Sequence, residues 1–131
     1  ESVMSQQQQP LVREGDIIAR AWNQVETLKD ATAHAEMLCL RAAATVVRNY
    51  RLEGMTLYVT LEPCPMCAGA LVHARIARLV FGARDLRFGG VRSKFRIADS
   101  DLLNHQVEVV EGVLAPECTQ LLQEFFQARR V

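Results

Sequence analysis

Two short stretches limit what this chain can fold into: Thr-Ala-His-Ala-Glu-Met at residues 32–37 and Leu-Glu-Pro-Cys-Pro-Met-Cys-Ala-Gly-Ala at residues 61–70. Together they hold one imidazole (His34), two thiols (Cys64 and Cys67) and a carboxylate, Glu36, two places from the imidazole. A Cys-x-x-Cys pair and a histidine supply three of the four ligands zinc takes in a tetrahedron, which leaves one position open to water. Zinc lowers the pKa of such a water from 15.7 to about 7. Glu36 is too close to His34 in sequence to be an easy fourth ligand, and it is well placed to carry the water's proton.

The bland alternatives weigh less. A lone His-x-Glu carries no information, and a lone Cys-x-x-Cys is equally a redox pair, half of a structural zinc site or two buried thiols. Occurring together, with Pro63 directly before Cys64 and a helical pattern after each half, they favour a catalytic zinc. A structural zinc needs a fourth ligand, and neither Cys39 nor Cys118 has a partner at useful spacing.

Local patterns set the two halves in an α/β frame. Ile17–Trp22 reads as a strand after a turn at residues 13–16, with a loop from Asn23 to Asp30. Thr32 is a candidate helix cap, and Ala33–Val47 places Met37, Leu38, Leu40, Ala44 and Val47 on one face. Met55–Leu61 reads as a strand, and a second helix starts around Pro63–Pro65, where the first N–H groups have no helical partner to lose. Both halves of the motif therefore sit at helix starts, with a strand as crossover. Leu79–Ala83 and Val107–Val110 predict further strands, residues 97–104 an irregular segment, and Pro116–Arg130 a last helix. His73 and Cys39 read as packing or surface residues.

Composition narrows the class. The 131 residues suit one domain, read here as a flexible tail over 1–9 and a single zinc-dependent domain over 10–131. No apolar run approaches the 18 or so residues that read as a membrane span, and no secretion signal is visible. Four cysteines, two of them better used as metal thiolates, predict a reducing, cytoplasmic setting or the interior of an organelle. The formal net charge is zero, but Arg75, Arg78, Arg84, Arg87, Arg92, Lys94 and Arg96 cluster with Asp85 as the one acid up to Arg96. That stretch reads either as a phosphate-facing surface or as a solvated loop.

His-x-Glu followed by Pro-Cys-x-x-Cys is the known signature of zinc-dependent base deaminases. The likeness extends beyond it, through AWNQ (21–24), LYVTLEPCPMCAGALVHARI (57–76), VFGARD (80–85), NHQVEVVEGVLAPEC (104–118) and LLQEFFQARR (121–130). On these segments the chain resembles bacterial tRNA-specific adenosine deaminases, within the cytidine deaminase-like superfamily.

The resemblance implies a three-layer α/β/α fold with a central mixed sheet, here without the family's N-terminal helix and the first strand ahead of the turn. It implies zinc-dependent conversion of adenosine to inosine at the wobble position of a tRNA anticodon stem-loop, by a homodimer. His34, Cys64 and Cys67 would bind one Zn2+ per chain. Glu36 would take the proton from water, deliver it to N1 of adenine, and in a separate transfer later protonate the departing amine. Asn23 and the backbone N–H of Ala35 match contacts to the extruded base, and Asp85, Asn104 and Phe126 match contacts to anticodon-loop nucleotides. Each has a plainer role as well: Asn23 in a turn, Asp85 in an ion pair, Phe126 in the core. Arg92 stands where relatives often have a small residue. A deaminase of a free base or nucleoside (guanine, cytosine or cytidine) and a non-catalytic RNA-binding subunit are the competing readings.

Overall fold

The computed structural model describes residues 8–113. The helix expected over 116–130, with Phe126 and Cys118, lies outside them, as do the first seven residues of the expected tail. Within them the chain runs β1 (Gln9–Arg13), β2 (Asp16–Ala21), α1 (Val25–Leu28), α2 (Ala35–Val47), β3 (Thr56–Leu61), α3 (Pro65–His73), β4 (Arg78–Ala83) and β5 (Glu108–Glu111). The five strands form one mixed sheet in the order β2-β1-β3-β4-β5. β1 is antiparallel to both β2 and β3, while β3, β4 and β5 are parallel. This is the cytidine deaminase-like arrangement expected from the sequence.

The strand expected to be missing is present. Gln9–Arg13 pairs with β2 on one side and β3 on the other, and Gln9, assigned to the tail, is its first residue. The reason lies in the turn that follows. Glu14 (φ 51°) and Gly15 (φ 82°) are both left-handed, and Arg13 pairs directly with Asp16. A two-residue turn of this hand matches the twist of the strands on either side. It therefore folds Pro10-Leu11-Val12 back as a full strand, and Leu11 becomes completely buried.

Side chains alternate across the sheet as the period of two requires. Leu11, Leu57, Val59, Leu79 and Phe81 are buried on one face, whereas Tyr58 and Val110 are exposed on the other. The buried face packs against Cys39, Leu40 and Ala43 of α2 and Ala68, Leu71 and Val72 of α3. Each large side chain buried there contributes about 1.5–3 kcal/mol, more than the intrinsic propensity of helices as short as these. Residues 62–77, with α3, form the crossover between parallel strands β3 and β4, so the start of α3 lies at the carboxyl end of the sheet. In open α/β sheets that end is where ligands bind. Among the described residues no helix is long and apolar enough to cross a membrane.

Candidate metal centre and active site

The two helix starts meet, with one shift from expectation. α2 begins at Ala35, and its N-cap is His34, not Thr32. Thr32 is occupied elsewhere, donating its N–H and hydroxyl to Asp30 Oδ1, each at 2.8 Å. The segment expected as loop before it contains the single turn α1, tied to the start of α2 by Gln24 N–H donating to the Ala33 carbonyl at 3.0 Å. α3 is built alike: Cys64 is its N-cap, with Pro65 as the first helical residue. Neither His34 nor Cys64 uses its side chain to cap its own helix. Both side chains are thereby free to face each other.

His34 Nδ1 lies 3.6 Å from Cys64 Sγ and 3.5 Å from Cys67 Sγ. Among the described residues this trio is the group of donors able to hold a metal, its three ligand atoms all within 4.8 Å of one another. One ring nitrogen carries one proton or one lone pair, so it cannot make two full hydrogen bonds to two sulfurs. A tetrahedral zinc with Zn–N of 2.0–2.1 Å and Zn–S of 2.3 Å sets the nitrogen–sulfur edge at about 3.5–3.6 Å. Both observed distances meet that edge, and the donor set therefore fits the ion.

The electrostatics prepare the same groups. A hydrogen bond from the Cys67 thiol is the main cause that lowers Cys64 to about 4; burial opposes it and His34 assists. Cys67 is pushed the other way, up, by its bond to Cys64, by burial and by Glu36. His34 is raised, first by its hydrogen bond with Cys64, against the effect of burial. Glu36, the second residue of α2, is raised above the ordinary carboxylate range by burial; its own N–H, the Cys67 thiol and His34 pull the other way. A carboxylate beside the ligand cluster whose pKa is raised is better suited to passing a proton than an ordinary exposed one.

The remaining expected site residues divide. Ala35 is buried as the first residue of α2, where a helix N–H has no intrahelical partner. Asn23 is exposed and accepts the N–H of Val25 on its Oδ1 at 3.0 Å, which leaves its amide nitrogen uncommitted. Asp85 follows β4 and accepts the N–H groups of Arg87 (3.0 Å) and Phe88 (3.1 Å). Asn104 is not brought to the cluster. It accepts from Arg75 at 2.9 Å, beyond the far end of α3, a helix about 13 Å long.

The basic stretch also differs from expectation. Arg78 pairs with Glu108 (3.2 Å), Arg84 with Glu111 (2.7 Å) and Arg96 with Asp99 (3.4 Å). Arg92 pairs with Asp99 (3.0 Å) and Glu111 (3.4 Å) with its side chain largely covered, so it is a structural tie and not an outward RNA contact. Of the seven cations only Arg87 and Lys94 make no ion pair or side-chain hydrogen bond among the described residues.

Glu62 was missed altogether. It directly follows the apolar strand β3, just before Pro63, and is 2% exposed. Burial would raise its pKa, but hydrogen bonds from Ser93 Oγ and from the amides of Arg92, Ser93 and Val91 outweigh burial and lower it. A carboxylate at such a position has to be paired if it is buried, and that was the available signal.

Comparison with known proteins bears on this geometry. A family model described as MafB19-like deaminase matches residues 9–130. The tRNA-specific adenosine deaminase of Bacillus subtilis is 50% identical over 120 residues, 92% of this chain and 74% of that protein. The chain belongs to the tRNA-specific adenosine deaminase family. The deaminase of the same name from Haemophilus influenzae is 54% identical over 115 residues, 88% of this chain and 66% of that one. A solved structure from work on A-to-I editing by tRNA:A34 deaminases superposes on this deaminase with a TM-score of 0.83 at 41% identity, covering 87% of this chain and 83% of the other. This family member thus spans roughly two-thirds to three-quarters of the length of those two relatives.

Proposed function

We propose that this chain catalyses the zinc-dependent hydrolytic deamination of adenosine to inosine at the wobble position of a tRNA anticodon. The observation that carries the proposal is the meeting of His34 Nδ1 with two cysteine sulfurs at 3.5 and 3.6 Å beside a half-buried carboxylate whose pKa is raised. The family supplies the class of substrate.

In this reading His34, Cys64 and Cys67 would hold one Zn2+, which when bound would lower the pKa of a water and so supply the nucleophile at neutral pH. Glu36 takes a first proton from the attacking water and gives it to N1 of adenine, where it stays in the product. It then carries the second, from the new C6 hydroxyl, to the departing amine, which leaves as ammonia as the C6 carbonyl forms. Asn23, through its free amide nitrogen, and the N–H of Ala35 orient the base; both flank the entry to α2. Asp85 adds a contact to the anticodon loop from the carboxyl end of β4. Asn104, held by Arg75 at the other end of α3, is away from the reacting groups and keeps its anticodon-loop assignment from the resemblance alone. Phe126 keeps its assignment from the resemblance alone. An anticodon loop suits the chemistry, since an adenine already unstacked costs less to extrude than one in a duplex.

The unit of function is a homodimer in a reducing compartment, the cytoplasm or an organelle interior, and the three described cysteines are free. Sedimentation of the zinc-loaded protein tests the dimer. The activity is tested with an anticodon stem-loop bearing adenosine at the wobble position, assayed for inosine beside free adenosine, guanine, cytosine and cytidine. Inosine in the stem-loop is expected, with little product from the free compounds. Turnover of a free compound in the absence of stem-loop conversion would replace this reading with the free-base one.

A further inference from the structure

We infer that Glu62 is a positioning residue for the RNA substrate: it seats residues 85–93 against the start of α3, so that the outward face of that loop is in place before the substrate arrives. This role presupposes the deaminase reading above. Glu62 Oε2 accepts three successive amides, Val91 (3.0 Å), Arg92 (2.6 Å) and Ser93 (3.0 Å). Its Oε1 accepts the Ser93 hydroxyl (2.5 Å) and the Asp85 amide (3.1 Å). Consecutive N–H groups turned toward one anionic oxygen form a nest, and here the nest is filled by the chain's own carboxylate.

Two glycines make the fit possible. A Cβ at Gly89 would fall on the Glu62 carboxylate, and one at Gly90 would come within 2.6 Å of Pro65 N. Gly90 also donates its N–H to the Pro63 carbonyl at 2.8 Å, so the loop lies flat against the backbone that carries Cys64. On its other side Arg92 is held by Asp99 and Glu111.

The loop clamped in this way presents Arg87 and Phe88 to solvent, with Lys94 just beyond it. Phe88 is 67% exposed, and Arg87 and Lys94 are the two cations of the basic stretch with no partner among the described residues. An exposed aromatic ring between unpaired cations is the chemistry that stacks an unpaired base and meets its phosphates. None of the five bonds to Glu62 goes to His34, Glu36, Cys64 or Cys67. The Gly90 bond to the Pro63 carbonyl does not involve the Glu62 side chain, so losing the carboxylate loosens residues 85 and 91–93 while Gly90 keeps its hold on the backbone that carries Cys64.

Glu62→Gln tests this, because an amide offers one acceptor oxygen and turns an NH2 toward donors. The expected result is a rise of about tenfold in both KM and Kd for the anticodon stem-loop, in line with leaving buried donors without a charged acceptor. Turnover at saturation stays within about twofold of wild type, since the reacting groups keep their positions, and zinc stays at the wild-type level. Amide exchange at residues 91–93 accelerates, while that of α3 does not. Ser93→Ala removes a single donor and should move KM and Kd the same way by a smaller factor; it decides the matter if the Gln variant does not fold. Unchanged KM, Kd and amide exchange in a folded variant overturn the role, as does a fall of turnover together with zinc content at constant KM. A wild-type chain that forms no inosine counts against the deaminase reading instead, and amide exchange with RNA affinity still decides the role of Glu62.

Discussion

Gly90→Ala is the substitution for which the structure gives the sharpest expectation. The added Cβ would lie 2.6 Å from Pro65 N, 2.7 Å from Pro65 Cα and 2.8 Å from the Cys64 carbonyl carbon. All three are backbone atoms at a helix start and cannot rotate away. Ordinary contact begins near 3.4 Å, so the loop has to lift by about 0.8 Å, and the 2.8 Å bond from Gly90 N–H to Pro63 stretches to about 3.6 Å, past hydrogen-bonding range. Overpacking costs about 1–3 kcal/mol and the lost bond about 0.5–1.5 kcal/mol, or about 3 kcal/mol together. For a chain of this length that lowers the melting temperature by about 12 °C. Thermal unfolding of the zinc-loaded protein measures it. Gly69→Ala is the internal control, since nothing lies within 4 Å of a Cβ at this position inside α3 and it should gain about 0.5–1 kcal/mol in helix propensity. If Gly90→Ala melts within about 2 °C of wild type, equivalent to roughly 0.5 kcal/mol, the close backbone contact is not real.

Three further outcomes follow from the site. Glu36→Ala should bind zinc normally yet lose at least about 10²-fold in turnover, the usual share of a general acid–base group; retained turnover refutes its role. Cys67→Ser should lose zinc while wild type keeps it, and chelation should lower the melting temperature of wild type more than that of the variant, because a ligand bound only by the folded state stabilises it. Asp99 has a lowered pKa: burial would raise it, but hydrogen bonds from Arg92 and Arg96 and their charges win. Its stabilising share is therefore complete above the unfolded value and is lost as pH falls through the lower folded one. The stability gap between wild type and Asp99→Asn, measured by urea unfolding, should narrow as pH drops below about 4, and a gap that widens there reverses the assignment.

Much of the candidate site was legible because its parts are local. The spacing of Cys64 and Cys67 fixes two thiols on one helical turn, and Pro65 starts that helix whatever surrounds it. His34 and Glu36 sit two places apart at the next helix start, although the cap fell on His34 once Thr32 was taken by Asp30. The strands were legible from their apolar alternation, apart from β1. Only three residues separate Gln9 from the turn residues 13–16, and the strand exists because Glu14 and Gly15 adopt a hairpin turn that gives it partners on both sides.

By itself, then, the sequence determined which atoms can grip a metal and which carboxylate stands beside them, since both depend on spacing within a turn or two. Tertiary structure decided which charges cancel. Parallel pairing of β4 with β5 sets Arg78 opposite Glu108 and Phe81 opposite Glu111, bringing carboxylates from thirty residues away onto arginines that looked unpartnered. It also turned Glu62, one acid among fifteen acidic residues, into the buried acceptor of five donors. Long-range hydrogen bonds and ion pairs are chosen by sheet order and register, and no local window of sequence contains either.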